Sequence, residues 1–198
     1  MSRFSLSYSK GKTFPERAKD SQGNLFFVDA NFRTILKILR LMNDSEVFEQ
    51  QKILLLLKWF YKDVRPESIE EALNLFVIFL NGNKQAGKKE KKTESESRKQ
   101  FDYEFDAEEI YTSFIKEYQI DLYEIDFLHW YKFQMLLLNL SQESPFSQKI
   151  KLRFLNLRDY KGENYLKLSR AKRSVQLPVQ YSREEAEMLK ELEEKLKS

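Results

Sequence analysis

The chain has 198 residues, of which 41% are hydrophobic, 14% aromatic and 33% charged. This length and apolar content suffice to bury the core of one domain with appendages. Five glycines and four prolines are few, which argues against a fold rich in tight turns and favours an all-α protein with solvated outer faces. The absence of cysteine excludes disulfides, thiol nucleophiles and cysteine-based zinc sites.

The N-terminal residues, MSRFSLSYSKGKTF, contain no apolar stretch long enough for a secretory signal. The longest apolar run, Ile53 to Leu57, is ended by Lys58 and is too short to span a membrane. We therefore expect an intracellular protein with no membrane partner.

The net charge of +3 is small, but it is unevenly distributed. Nine acidic residues and one lysine lie between Phe101 and Asp126, which we call the acidic block. Nine basic and two acidic residues lie between Ser147 and Val175, the basic block. The two blocks can screen each other within one molecule or pair between the subunits of an oligomer. Charge asymmetry rarely specifies a partner by itself, so the intramolecular or purely solvated interpretation is favoured.

The N-terminal region shows only short alternating patterns. Phe4, Leu6 and Tyr8 alternate with polar residues, as do Phe26 and Val28. A polar stretch that contains glycine separates the two patterns. This arrangement predicts a short β-hairpin or an ordered arm.

Three helices are predicted to follow. Asn31 is a good N-cap for the first helix, and Asp44 or Ser45 is predicted to cap the second. The second helix has little room for a polar face, so it is expected to be buried on several sides. The third is predicted to begin near Pro66, because a proline in the first helical turn loses no hydrogen bond, and to end at Asn81.

Residues 82–100 contain no large apolar side chain, so their ordering cannot be offset by burial. Their lysine cluster lacks the interleaved aromatic residues typical of nucleic-acid contacts, which favours a solvated tether. A helix with one apolar face is predicted to start at Asp106, and an almost wholly apolar helix is predicted over residues 125–140. Two further helices are predicted near residues 147–155 and 163–175.

The last predicted element is a C-terminal helix. Pro178 breaks the chain, and Ser182 to Glu185 forms a capping-box pattern that opens a charged helix with a narrow leucine stripe. Such a helix must dock on the body, pair with a copy of itself or bind a partner. The predicted fold is therefore an all-α bundle of six to seven helices, organised as an N-terminal arm or hairpin (1–30), a first helical half (31–81), a disordered linker (82–100), a second helical half (101–175) and a C-terminal amphipathic helix (176–198).

No pattern in the chain predicts catalysis, a metal or a cofactor. Asp102, Glu104 and Asp106 alternate like the first ligands of a calcium loop, but the required turn glycine is Ala107 and the required glutamate is Ser113. No GxSxG turn is present for a serine nucleophile. The single histidine, His129, is expected to pack or to form a hydrogen bond at the edge of the aromatic helix. We therefore expect a protein that is not an enzyme.

One segment resembles a known family. Residues 106–133, DAEEIYTSFIKEYQIDLYEIDFLHWYKF, are similar to the core of a tailed-bacteriophage family known by its gene-product number, fifteen. The family pattern is expected to have a glycine before Ile-Asp-Leu, where this chain has Gln119. The residues that carry the resemblance are Asp106, Ile110, Tyr111, Phe114, Ile120, Asp121, Leu122, Leu128, His129, Trp130 and Phe133.

The resemblance implies a tail-assembly chaperone of the long-tailed siphophages. Such a protein is expected to bind the long, aggregation-prone tape-measure protein in the cytoplasm of the infected bacterium, with the major tail protein as a possible second partner, and to be absent from the finished virion. It implies no catalytic residue. The residues that we expect to contact a partner or a second copy are Lys149, Lys151, Arg153, Arg170, Lys172, Arg173, Leu189, Leu192 and Leu196.

Two other functions fit the sequence less well. The chain is alternatively a minor structural tail or connector protein of the virion. A helical regulator that binds DNA through the basic block is more distant, and its binding is expected to weaken steeply with salt. Nucleic acid is therefore not expected among the partners.

Overall fold

The computed structural model describes Phe14, residues 16–20, 22–82 and 100–178, and Met188, Leu192, Glu194 and Lys195. The described chain forms two compact units. The first unit contains the described residues up to Gly82 together with Asp126–Met135. The second unit contains the residues from Gln100 to Ile125 and those from Leu136 onwards.

The first unit opens with a two-stranded antiparallel hairpin, β1 (Arg17–Lys19) and β2 (Leu25–Phe27), in which Ala18 pairs with Phe26. The Asp20 carboxylate holds the connecting turn, because it accepts hydrogen bonds from the backbone and the side chain of Asn24, each at 2.7 Å. A hairpin was predicted here, although β1 is not one of the alternating segments. Phe4, Leu6 and Tyr8 lie outside the described residues.

Three helices follow in the first unit: α1 (Phe32–Asn43), α2 (Glu49–Phe60) and α3 (Ile69–Leu80). Asn31 caps α1 as predicted, accepting a hydrogen bond from the Arg33 N–H at 3.1 Å. The predicted cap of α2 is wrong. Asp44 ends α1 instead, and its carboxylate accepts from the Glu46 N–H at 2.9 Å, so α2 begins only at Glu49.

The start of α3 is also later than predicted. Ser68 caps this helix by accepting a hydrogen bond from the Glu71 N–H, and Pro66 therefore precedes the cap. Helix α2 is buried over much of its surface but keeps one exposed strip, which includes Leu54 and Lys58. The predicted end of α3 is confirmed, since Asn81 is its C-cap.

The helix predicted from residue 125 begins five residues later, as α5 (Trp130–Leu138). Long-range backbone pairing delays it: Phe32 N–H donates to the Leu128 carbonyl at 2.9 Å, and Trp130 N–H donates to the Ala30 carbonyl at 2.7 Å. These bonds hold the chain extended up to His129, which forms an antiparallel bridge with Asn31. Periodicity within one segment carries no signal for such pairing.

Aromatic rings dominate the core of the first unit. Phe60 makes edge contacts with Phe76 and Phe79, and Phe79 stacks on Tyr131 with ring centroids 4.9 Å apart. Two buried tyrosine hydroxyls donate to main-chain carbonyls, Tyr131 to Phe79 at 2.9 Å and Tyr61 to Ala72 at 2.8 Å. The polar ends of these rings are thus hydrogen-bonded inside an apolar core.

The second unit contains α4 (Ala107–Tyr118), α6 (Pro145–Arg153) and α7 (Gly162–Ser174), with α6 packed against both α4 and α7. The buried Ser113 hydroxyl of α4 accepts from the Phe146 N–H at 3.1 Å, which satisfies a donor in the first turn of α6. Ser144 caps the same turn, and Pro145 follows at the first helical position.

The predicted fold class is confirmed, since seven helices and one short hairpin make up the regular structure of the described residues up to residue 178. The predicted linker lies outside the described residues except at Gly82 and Gln100. In the predicted C-terminal helix, Met188, Leu192, Glu194 and Lys195 are helical, while Leu189 and Leu196 lie outside the described residues. None of the described helices is both long and apolar enough to span a membrane.

Candidate functional site

A buried ion pair lies at the centre of the second unit. Asp106 precedes α4 and is 0% exposed, while Arg153 ends α6 and is 4% exposed. The guanidinium donates two hydrogen bonds to the carboxylate, at 3.0 and 2.7 Å. This bidentate arrangement has the geometry of the strongest hydrogen-bonded ion pairs.

Lys149, one turn before Arg153, completes the cluster. Its ammonium lies 3.0 Å from a carboxylate oxygen of Asp106 and 2.7 Å from one of Glu109. Two members of the basic block thus pair with two members of the acidic block inside one molecule. The intramolecular interpretation of the two charge blocks therefore holds for these four residues.

The titration of the cluster fits this geometry. Burial opposes ionisation of Asp106, but hydrogen bonds from Arg153, the Asp102 N–H and Lys149 outweigh it, so the pKa of Asp106 lies below its ordinary value. Burial likewise favours neutral Lys149, but its hydrogen bonds to Glu109 and Asp106 raise its pKa above the ordinary value. Asp106 is therefore a fully buried, ionised member of the acidic block.

Arg153 also ties separate chain segments together. Besides Asp106, its guanidinium donates to the Gln100 carbonyl at 2.8 Å and to the Val175 carbonyl at 2.6 Å. One side chain thus holds the beginning of the second unit beside the C-cap of α7. Its hydrogen bonds to Asp106, Gln100 and Val175 make Arg153 a residue that organises this unit.

The family-like residues of the second unit form the packing and the end of α4. Ile110 and Phe114 are buried, whereas Tyr111, Ile120, Asp121 and Leu122 are partly buried. The Tyr111 hydroxyl donates a hydrogen bond to one carboxylate oxygen of Asp121. The other oxygen accepts a hydrogen bond from the Tyr123 N–H at 2.8 Å. These contacts fix the turn that follows α4.

Gln119 ends α4 in the left-handed conformation, with φ of 54°, and it is the one non-glycine residue with positive φ in the part of the chain that the structure describes. Its N–H donates to the Ile115 carbonyl, and the Ile120 N–H donates to the Phe114 carbonyl. This is the geometry that glycine usually supplies at a helix C-terminus. Gln119, which stands where the family pattern is expected to have glycine, therefore occupies a backbone conformation that glycine adopts more easily.

The remaining family-like residues belong to the first unit. Leu128, His129, Trp130 and Phe133 are all buried there. The His129 Nδ1 atom accepts a hydrogen bond from the Tyr131 N–H at 3.1 Å, which satisfies a donor in the first turn of α5. Phe133 stacks on Phe32 with ring centroids 5.0 Å apart. The two halves of the motif thus stabilise two different units.

Helix α7 carries four of the nine basic residues of the basic block and has no buried residue. Leu168, Ala171 and Lys172 are partly covered, and the Lys172 ammonium donates to the Leu155 carbonyl at 2.6 Å. The opposite face, which we call the outward face of α7, is exposed. It presents Leu166, Arg170 and Arg173, which share one face because they are spaced by four and three residues.

The predicted contact residues therefore fall into three groups. Lys149 and Arg153 are engaged inside the second unit, and Lys172 is partly so. Lys151, Arg170, Arg173 and Leu192 are exposed. Leu189 and Leu196 lie outside the described residues.

Sequence reasoning missed the partnership between Asp106 and Arg153, which are 47 residues apart. The available signal was the opposite charge of the two blocks, which does not specify which residues pair. It also missed Ser113 as the link between α4 and α6. Among the described residues, no group of three His, Asp or Glu side chains is placed to hold a metal ion.

Comparison with known families identifies the chain. The family model described as bacteriophage Gp15 protein matches residues 16–177. The chain belongs to the bacteriophage Gp15 protein family. The match covers most of both compact units of this Gp15-family protein and confirms the resemblance seen in residues 106–133. No curated protein and no solved structure gives a significant match.

Proposed function

We propose that this phage protein is a non-catalytic tail-assembly chaperone. It binds the tape-measure protein in the cytoplasm of the infected bacterium, keeps it soluble while the tail tube assembles, and is not retained in the virion. Family membership makes it a phage protein, and the outward face of α7 is the observation that supports this more specific role.

That face suits the reversible binding of a helix. Leu166 is 56% exposed, and the neighbouring Tyr165 is also exposed. Arg170 and Arg173 extend the same face by two turns, and their guanidinium groups can form bidentate hydrogen bonds with carboxylates on a client helix. Burying one leucine contributes about 1.5–3 kcal/mol, so a contact of this size gives modest affinity and permits release.

Co-expression with the tape-measure protein of the same phage tests the proposal. The wild-type chain is expected to co-purify with the tape-measure protein and to increase its soluble fraction. A triple variant, Leu166→Glu with Arg170→Glu and Arg173→Glu, is expected to lose about tenfold or more of the co-purified client, because it removes both the apolar contact and the cations. These side chains are exposed, so the fold is expected to be retained.

The matched control is Leu54→Glu, which places a charge on an exposed leucine of α2 in the first unit. It is expected to retain wild-type co-purification. The proposal fails if the wild-type chain neither co-purifies with the tape-measure protein nor increases its solubility.

Two measurements separate this role from the alternatives. Mass spectrometry of purified particles is expected to lack this polypeptide, and its presence at stoichiometric levels would support a structural tail or connector role. Duplex DNA is expected not to bind the outward face of α7, and tight binding that weakens steeply with salt would assign the arginines to nucleic acid.

A further inference from the structure

An apolar groove lies within the second unit, apart from the residues proposed to contact the client. It has a volume of about 470 Å³. Leu138 projects beside it and is 74% exposed, so the apolar wall is open to solvent. Polar positions at the groove include Gln142 and Lys151. Its apolar lining consists of Phe101, Leu137, Leu138, Leu140, Phe146 and Ile150.

A second uncovered apolar surface belongs to the C-terminal segment of the same chain. Met188 and Leu192 are both helical, lie one turn apart on one face, and are 65% and 47% exposed. The sequence extends this face with Leu189 and Leu196. An apolar stripe on so short and charged a helix contributes to stability only when it is covered.

The chain leaves the described part of the second unit beside the groove. Arg153 donates hydrogen bonds to both Gln100, which lines the groove, and Val175, which ends α7. Thirteen positions separate Val175 from Met188. A chain of that length spans up to about 43 Å when extended, which is ample to return to a groove at the same site.

Charge favours the same pairing. Residues 182–198 contain six glutamates and four basic residues. Lys151 stands at the groove, exposed, and lies on the basic helix α6. An acidic helix with a leucine stripe therefore complements both the apolar lining and the charge of the groove.

We propose that the groove is a docking site for the C-terminal segment of the same chain, residues 182–198, which inserts Leu189, Leu192 and Leu196. The connection makes the encounter intramolecular, so the effective concentration of the segment at the groove exceeds that of a free helix. The docking covers two apolar surfaces that otherwise face solvent. It does not depend on the chaperone role proposed above.

Disulfide trapping in the full-length chain tests this docking, because the protein contains no cysteine of its own. The variant combines Gln142→Cys at the groove with Met188→Cys beside the leucine stripe. The control combines Glu124→Cys, an exposed position of the same unit outside the groove, with Met188→Cys. After mild oxidation, the groove pair is expected to form an internal disulfide about tenfold faster than the control pair.

Two further variants tie this cross-link to the proposed contacts. Leu192→Glu in the groove-pair background is expected to reduce the rate to that of the control, because it places a carboxylate in an apolar site. Lys151→Glu in the same background is expected to slow disulfide formation less than Leu192→Glu does, because it changes an exposed charge and leaves the apolar contacts in place. Equal rates for the groove and control pairs, or no effect of Leu192→Glu, would overturn the proposal.

A mixture of two single-cysteine chains, one with Gln142→Cys and one with Met188→Cys, separates docking within a chain from docking between copies. The mixture is expected to give little disulfide-linked dimer at concentrations where the double variant closes internally. Efficient dimer formation would assign the groove to the C-terminal segment of a second copy and would contradict docking within the chain. Because no tape-measure protein is present, failure here leaves the chaperone proposal standing.

Discussion

The two units differ in what fills their interiors. Stacked aromatic rings fill the first unit, and the buried tyrosine hydroxyls there are neutral donors to main-chain carbonyls. The second unit instead buries the charged pair of Asp106 and Arg153, with Lys149 at its edge. Apolar cores tolerate small losses by repacking, whereas buried charges depend on every partner. Stability in the second unit is therefore concentrated in a few residues.

The largest expected effect is that of Asp106→Ala. It leaves the Arg153 guanidinium buried without its carboxylate, which typically costs about 3–5 kcal/mol. Urea unfolding followed by far-UV circular dichroism reports helix in both units, and fluorescence reports the first unit because Trp59 and Trp130 both lie there. We expect helical signal to be lost at a lower urea concentration than the tryptophan signal.

Glu109→Gln is the matched control. Glu109 is partly exposed and pairs only at the edge of the cluster, so we expect a loss below about 1 kcal/mol. Equal effects of Asp106→Ala and Glu109→Gln would show that the buried pair does not hold the second unit.

Acid is expected to weaken the second unit through the same carboxylate. The pKa of Asp106 is lower in the folded state than its ordinary value of 3.8, so its contribution is present above that pH and is lost as the pH falls through the folded pKa. Helix content followed from pH 7 downwards is expected to fall in wild type below about pH 3.8. In Asp106→Asn, which lacks this carboxyl, the remaining acid dependence is expected to be shallower.

The first unit also contains an acid-sensitive carboxyl group, that of Asp20 in the hairpin. Burial opposes ionisation of Asp20, but hydrogen bonds from the Asn24 side chain and from backbone N–H groups lower the pKa of its carboxyl. We therefore expect acid to speed hydrogen exchange in the hairpin while the tryptophan fluorescence of the core is retained. Loss of hairpin protection and of the tryptophan signal at the same pH would contradict this expectation.

A smaller effect is expected from Tyr131→Phe in the first unit. It removes the hydroxyl that donates to the Phe79 carbonyl at 2.9 Å and leaves the ring stacking in place. The expected loss is about 1 kcal/mol, measured by urea unfolding with tryptophan fluorescence. Tyr165→Phe, at an exposed position on α7, is the control and is expected to have no effect. A loss as large as that of Asp106→Ala would remove the contrast between the units.

The smallest expected effect is a gain in stability from Gln119→Gly. Glycine relieves the strain of the left-handed conformation, and part of that gain is offset by the greater freedom of the unfolded chain. We expect a net gain of up to about 1 kcal/mol. Gln119→Ala retains the Cβ atom and is expected to give no gain. A loss in Gln119→Gly would show that the glutamine side chain itself stabilises the turn.

Much of the fold follows from local patterns in the sequence. The N-cap Asn31, the apolar face of α4 and the end of α3 were predicted because a helix boundary depends on side chains within a few residues. The starts of α2 and α5 were not predicted. Asp44 can either end one helix or cap the next, and the start of α5 depends on the pairing of Leu128 with Phe32, which lies 96 positions earlier in the chain. Long-range backbone pairing has no local signature.

The candidate site was predictable only in part. The basic block was recognised as a charged segment, but nothing in its spacing separates Arg153, which is buried, from Arg170, which is exposed. The distinction arises from tertiary packing. Helix α6 packs against both α4 and α7, whereas α7 packs against α6 and has no buried residue. The outward face of α7 could therefore be recognised only from the structure.

Hydrogen exchange, measured with and without a soluble tape-measure fragment, tests most directly whether α7 is the client surface. Addition of the fragment is expected to slow exchange in residues 162–174 and to leave the helices of the first unit unchanged. The Leu166→Glu, Arg170→Glu, Arg173→Glu variant is expected to lose this protection. The assignment would be contradicted if protection appeared only in the first unit. It would also be contradicted if a soluble excess of the fragment gave no protection.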